Sequence, residues 1–154
     1  MIADDPAQPL VHVEGLSFRY LEAEKVARGA FEVQLRNLGP QNPDTVDTLR
    51  QLGAAMTYDH RYPEAAKLFR NVIEKGTETG GHGNTWLVWD AFAAVAAAAN
   101  RPDEAMQYLH EAVNHGYNDA DALAADDDLK PLHQNPKFQK LIAQLRQSAK
   151  ITAH

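Results

Sequence analysis

The chain writes one short phrase three times at a nearly constant interval. Arg19-Tyr20-Leu21-Glu22-Ala23 returns as Arg61-Tyr62-Pro63-Glu64-Ala65 and again as Arg101-Pro102-Asp103-Glu104-Ala105. The interval is about 40 residues, a period that marks stacked supersecondary units. Each unit then buries its apolar side against its neighbours. Such arrays are usually binding scaffolds.

Every copy of the phrase leads into a helical pattern. Ala23 is followed by Val26, Ala27, Ala30 and Phe31, Ala65 by Leu68, Phe69, Val72 and Ile73, and Ala105 by Leu109, Ala112 and Val113. Steps of three, four, seven and eight place these side chains on one helical face. Two copies are preceded by another helix. Pro43-Asp44 opens the first, with Leu49, Leu52, Gly53 and Met56 on a stripe. Asn84-Thr85 opens the second, with Trp86, Trp89, Phe92, Ala93 and Ala96. Asp44 and Asn84 suit helix starts and Pro43 suits a first turn. Asp59-His60-Arg61 and Asn100-Arg101 supply the turns, so each unit reads as a helix–turn–helix hairpin.

Leu49-x-x-Leu52-Gly53…Ala65-x-x-x-Phe69 resembles the tetratricopeptide repeat, and Trp89-x-x-Phe92-Ala93…Ala105-x-x-x-Leu109 follows it with conservative changes. The family's period is about 34 residues. The excess here lies in long linkers, Gly39 to Thr45 and Gly76 to Gly83. The first linker resembles that of the kinesin-light-chain-like subclass, common in bacterial signalling proteins. Asp128-Leu129-Lys130-Pro131-Leu132, followed by Pro136-Lys137-Phe138, is similar to the ending of many bacterial tetratricopeptide proteins. The resemblance implies an all-α solenoid of about two and a half repeats with a carboxy-terminal capping helix. The expected organisation is an irregular tail over 1–18, repeats over 19–117, a cap over 118–149 and a tail over 150–154. Pro6, Pro9 and Gly15 argue for the first tail, which leaves the opening helix without a hairpin partner.

With 154 residues and a net charge of −6, the chain lacks the basic field that grips nucleic acid or anionic membrane. It has no cysteine. Its acidic start is unlike a signal peptide, and the alanine-rich run from Ala91 to Ala99 is far short of the roughly 20 residues of a membrane span. A soluble, cytoplasmic protein is expected.

Three candidate sites have simpler readings. His110 and His115 stand five apart, a helical step of about 500° that turns them away from a shared metal. Gly80-Gly81-His82-Gly83-Asn84 lacks the lysine and hydroxyl of a phosphate loop and reads as a linker. Asp126-Asp127-Asp128 lacks the alternating spacing and glycine of a calcium loop and reads as a turn-capping cluster. No nucleophile–base pattern accompanies the serines. The chain is therefore expected to be no enzyme and to need no cofactor or metal.

The resemblance implies a ligand groove on the first helices of the hairpins. By family register, that face carries Asp47, Arg50, Gln51, Ala54, Thr57 and Tyr58, then Leu87, Asp90, Ala91, Ala94 and Ala97. Arg50 is expected to pair with an acidic group on a protein or peptide partner, with Tyr58 giving contact area and Asp90 setting polarity. The alternative is a regulatory or sensor tail of a larger signalling enzyme, such as a bacterial serine/threonine kinase or adenylate cyclase. Val26, Ala30 and Phe31 on the uncovered opening helix are expected to form an association surface, with a homodimer as one way to bury it.

Overall fold

The computed structural model describes residues 7–78 and 85–152, with side chains from residue 21 onward. Helix α1 spans Ala7–Leu38, α2 Pro43–Tyr58, α3 Tyr62–Glu78, α4 Thr85–Ala98 and α5 Pro102–Asn114. A short α6, Ala120–Ala125, and a 3-10 helix, Asp127–Leu132, lead into α7, Pro136–Thr152. Among the described residues there is no strand. The fold is an all-α, tetratricopeptide-type solenoid. Helices α2–α3 and α4–α5 form the hairpins; α2 also packs on α1 and α4, and α4 on the 3-10 helix.

The hairpin turns repeat with the sequence. His60 and Asn100 take left-handed backbone conformations, at φ 61° and 59°. In each turn the following amide reaches back five residues, Arg61 to the Met56 carbonyl at 2.8 Å and Arg101 to that of Ala96 at 2.9 Å. These are Schellman closures, which satisfy carbonyls left over at a helix end. Asn42 caps α2 by accepting the Asp44 amide at 2.9 Å, with Pro43 in the first turn.

The repeated phrase proves to be the seam between units. Arg61 donates to Glu24, a buried carboxylate on α1. Tyr62 donates its hydroxyl to Glu104 at 2.6 Å, and the Arg101 guanidinium lies 5.0 Å from the Tyr62 ring centre. Ala65 and Ala105 are fully buried, which lets neighbouring helices close in. Beneath this seam Phe69, Phe92 and Tyr108 stack in sequence, with centroid separations of 4.9 and 3.8 Å. Trp86 meets Tyr117 edge-on at 5.0 Å.

Both expected tails differ from the structure. Helix α1 begins at Ala7, so 7–18 is helical backbone; residues 1–6 lie outside the described residues. Pro9 falls in the first turn, where no intrahelical amide bond is required, and one interior glycine costs only about 1 kcal/mol. Helix α7 continues to Thr152, past the boundary expected at 149, because no breaker intervenes and Lys150 suits a helix carboxyl end. The glycine-rich stretch 80–84 lies outside the described residues.

Gly53 marks the tightest approach of α2 to its neighbours. A Cβ there would lie 2.7 Å from Phe69 Cε2 and 3.0 Å from Val95 Cγ2. Gly53→Ala gains about 1 kcal/mol of helix propensity but meets an overpacking cost of about 1–3 kcal/mol. A net loss of stability is expected in urea denaturation, and a raised midpoint would refute the close contact.

Candidate functional site

A groove runs between α2 and α4. Asp47, Arg50, Gln51 and Ala54 come from α2, Ala94, Val95 and Ala98 from α4, and Asp128 from the 3-10 helix. It encloses about 340 Å³. One helical turn separates Asp47 from Gln51 and Arg50 from Ala54, so α2 offers a single polar-and-small row. On α4 the alanines leave the floor shallow.

Arg50 is the electrostatic centre. Its Nη1 donates to Asp128 Oδ2 at 2.9 Å and its Nη2 to Asp90 Oδ2 at 3.2 Å. It thus ties both leading helices to the cap. Asp90 is only 7% exposed, and among the described residues its Oδ1 has no hydrogen-bond partner. Burial pushes its carboxyl up to about 6, against the pull of Arg50 and with help from Asp126 and Asp128. Burial also raises the Tyr117 phenol, reinforced by Asp90, Asp119 and Asp126. At the mouth, Asp47 accepts from Gln51 at 3.0 Å.

The structure brings Asp47, Arg50, Gln51, Ala54 and Ala94 together. Asp90 lies behind Arg50 instead of on the wall, and Ala91 and Ala97 are buried in the core. Leu87 packs against the core. Thr57 is half-buried with its hydroxyl inside, and Tyr58 is 66% exposed at the end of α2; neither lines this groove. Arg50 does not wait for a partner's acid, because Asp90 and Asp128 already hold it. Val95, Ala98 and Asp128 are additions. Ala98 continues the Asp90–Ala94 row by one more turn, a signal present in the sequence. Asp128 has none, since its approach depends on how the cap folds back.

Phe31 is also placed differently from expectation. It is buried, lining a hollow of about 440 Å³ between α1 and α3 with Leu68 and Val72. Five residues of helix turn it about 140° away from Val26, which stays exposed. Charges of both signs alternate around that hollow, whereas the α2–α4 groove has acidic groups on both sides of one committed arginine.

Among the described residues no group of three or more metal-ligating side chains gathers, and no helix is long and apolar enough to cross a membrane. Asp119 and Asp126 serve as caps, accepting the Ala122 and Asp128 amides at 2.9 Å each. No curated protein and no solved structure matches the chain. Residues 10–75, covering most of α1 with α2 and much of α3, match the tetratricopeptide repeat model, a fold that typically mediates protein–protein interaction as a non-catalytic scaffold. Residues 54–153 match the model described as A/B hydrolase-like, N-terminal domain. That span holds the second hairpin and the whole cap, and on it the chain belongs to the A/B hydrolase-like, N-terminal domain family, with a tetratricopeptide repeat at its front.

Proposed function

We propose that the α2–α4 groove receives a peptide segment or helix of another protein and that this segment brings a lysine or arginine to Asp47 and Asp128. The observation that carries the reading is the internal commitment of Arg50. With its charge spent on two aspartates, the groove presents carboxylates to an incoming chain. The alanine floor suits close approach of a backbone or of a long aliphatic stem. The long Gly39–Thr45 junction supports the kinesin-light-chain-like subclass, and the acidic, cysteine-free composition supports a cytoplasmic setting without nucleic acid or membrane as partner.

Amide chemical shifts followed during titration with short lysine-containing peptides test it. Changes are expected at Ala54, Ala94 and Ala98. Ala54→Trp, at an exposed position, should abolish them while changing stability by no more than about 0.5 kcal/mol. Shifts confined to other faces, or binding that survives Ala54→Trp, would move the site elsewhere.

The family description favours a second reading, a regulatory module accompanying a hydrolase-like catalytic unit. It is preferred to a kinase or cyclase companion because the matched family is named for a hydrolase. Ester hydrolysis by an A/B hydrolase-like unit, measured with and without this module, tests it; equal rates and equal affinities would remove it.

A further inference from the structure

We propose that the outward face of α1 is a dimer interface that takes a second copy of this chain, with the two α1 helices antiparallel. Val26 is 71% exposed and Val33 52%. Ala30 is exposed, and a Cβ built on Gly29 would meet nothing within 4 Å. Glu22 and Arg36 are exposed, and neither makes an ion pair among the described residues.

The order of these residues specifies the partner. Seven residues turn a helix by about 700°, nearly two full turns, so residues seven apart share a row. Glu22, Gly29 and Arg36 form one row, Val26 and Val33 the next, and Ala23, Ala30 and Asn37 the third. A two-fold axis near Gly29 and Ala30 lays Val26 against the partner's Val33. The same operation lays Glu22 against the partner's Arg36 and each small residue against its own copy. A parallel pairing would set Glu22 on Glu22 and Arg36 on Arg36, which repel. The charges thus select both a second copy and its direction. The small residues sit at the crossing point, where two helix backbones approach most closely.

The stripe from Glu22 to Arg36 is about 21 Å long, a modest contact in the range of weak, reversible association. Light scattering and sedimentation equilibrium on the purified chain at low salt, from about 10 to about 500 µM, provide the test. A monomer–dimer equilibrium with a micromolar dissociation constant is expected. Val26→Glu should weaken it by about tenfold or more, since a carboxylate then enters the apolar row. Glu22→Lys and Arg36→Glu should each weaken it by about threefold or more, and the double variant Glu22→Lys/Arg36→Glu should restore it. These positions are exposed, and helical circular dichroism should be unchanged in all four. A monomer throughout the range overturns the proposal. So does a dimer indifferent to Val26→Glu, or a loss on single charge reversal that the double variant does not repair. The groove reading is untouched by any of these results, because it concerns α2 and α4.

Discussion

Phe69→Ala is expected to lower the unfolding free energy by about 3–5 kcal/mol, the range for emptying a fully buried aromatic site. Phe69 has no exposed surface and stacks on Phe92 at 4.9 Å with the rings 6° from parallel. Its ring edge rests against Gly53, and Val95 meets the same glycine from α4. Helices α2, α3 and α4 all converge on this ring. None can move in to fill the gap without breaking its other contacts, so the cavity should remain largely open. Phe92 would lose a stacking partner while still covered by Tyr108 at 3.8 Å. Urea denaturation followed by circular dichroism measures the effect. Phe69→Leu, which keeps most of the volume, should cost distinctly less. A loss below about 1 kcal/mol for the alanine variant would mean that the helices collapse onto the space and that the junction is loosely packed.

Arg50→Ala should be the other large effect, and it should depend on pH. Removing Arg50 leaves Asp90 buried without its counter-charge, and breaking a buried pair costs about 3–5 kcal/mol. Because the Arg50 side chain is 30% exposed, the low end of that range, about 3 kcal/mol at pH 8, is expected. The sign follows from the direction in which Asp90 is displaced. Burial holds its carboxyl up to about 6 in the folded protein, above the ordinary 3.8 of an aspartate in water. Its favourable contribution is therefore complete below the unfolded value and is lost as pH rises through about 6. A displacement of that size separates the neutral and ionised forms by about 3 kcal/mol. Without Arg50, which pulls the value down, the loss should extend to higher pH. The two stability curves should thus converge near pH 4–5 and separate above pH 6, while Asp90→Asn should flatten the wild-type slope across this window. The double variant Arg50→Ala/Asp90→Asn should recover most of the stability at pH 8. Parallel curves for wild type and Arg50→Ala would show that Asp90 is not the group left stranded.

The two variants differ in how visible their causes are in the chain. Phe69 stands four residues after a copy of the repeated phrase, and its burial follows from helical spacing alone. Arg50 also stands on the face that the register selects, yet its role does not follow from that register. Asp90 lies on a different helix and Asp128 in the cap, at sequence distances that no local pattern encodes. Reading Arg50 as free for a partner is what spacing supports when those distances are unknown. The same distinction separates Val26 from Phe31: both occur in one apolar run, and only the helix's rotation against α2 and α3 shows which is covered.

Periodicity in the amino-acid sequence, acting through helical geometry, determined the hairpins, their turns, the stripe of core residues and the all-α character of the chain. These are local consequences of side-chain type and spacing, so neighbours along the chain suffice to specify them. Tertiary structure alone decided that the repeated Arg-Tyr-x-Glu-Ala phrase stitches unit to unit through Glu24 and Glu104. It alone decided that Asp128 joins the groove lining and that Arg50 is spent within the protein. It also decided that α1 turns Val26 and Val33 outward. Each of these depends on which faces meet after the helices stack, and the energies of such long-range contacts are set by burial and charge pairing between residues that are remote in sequence.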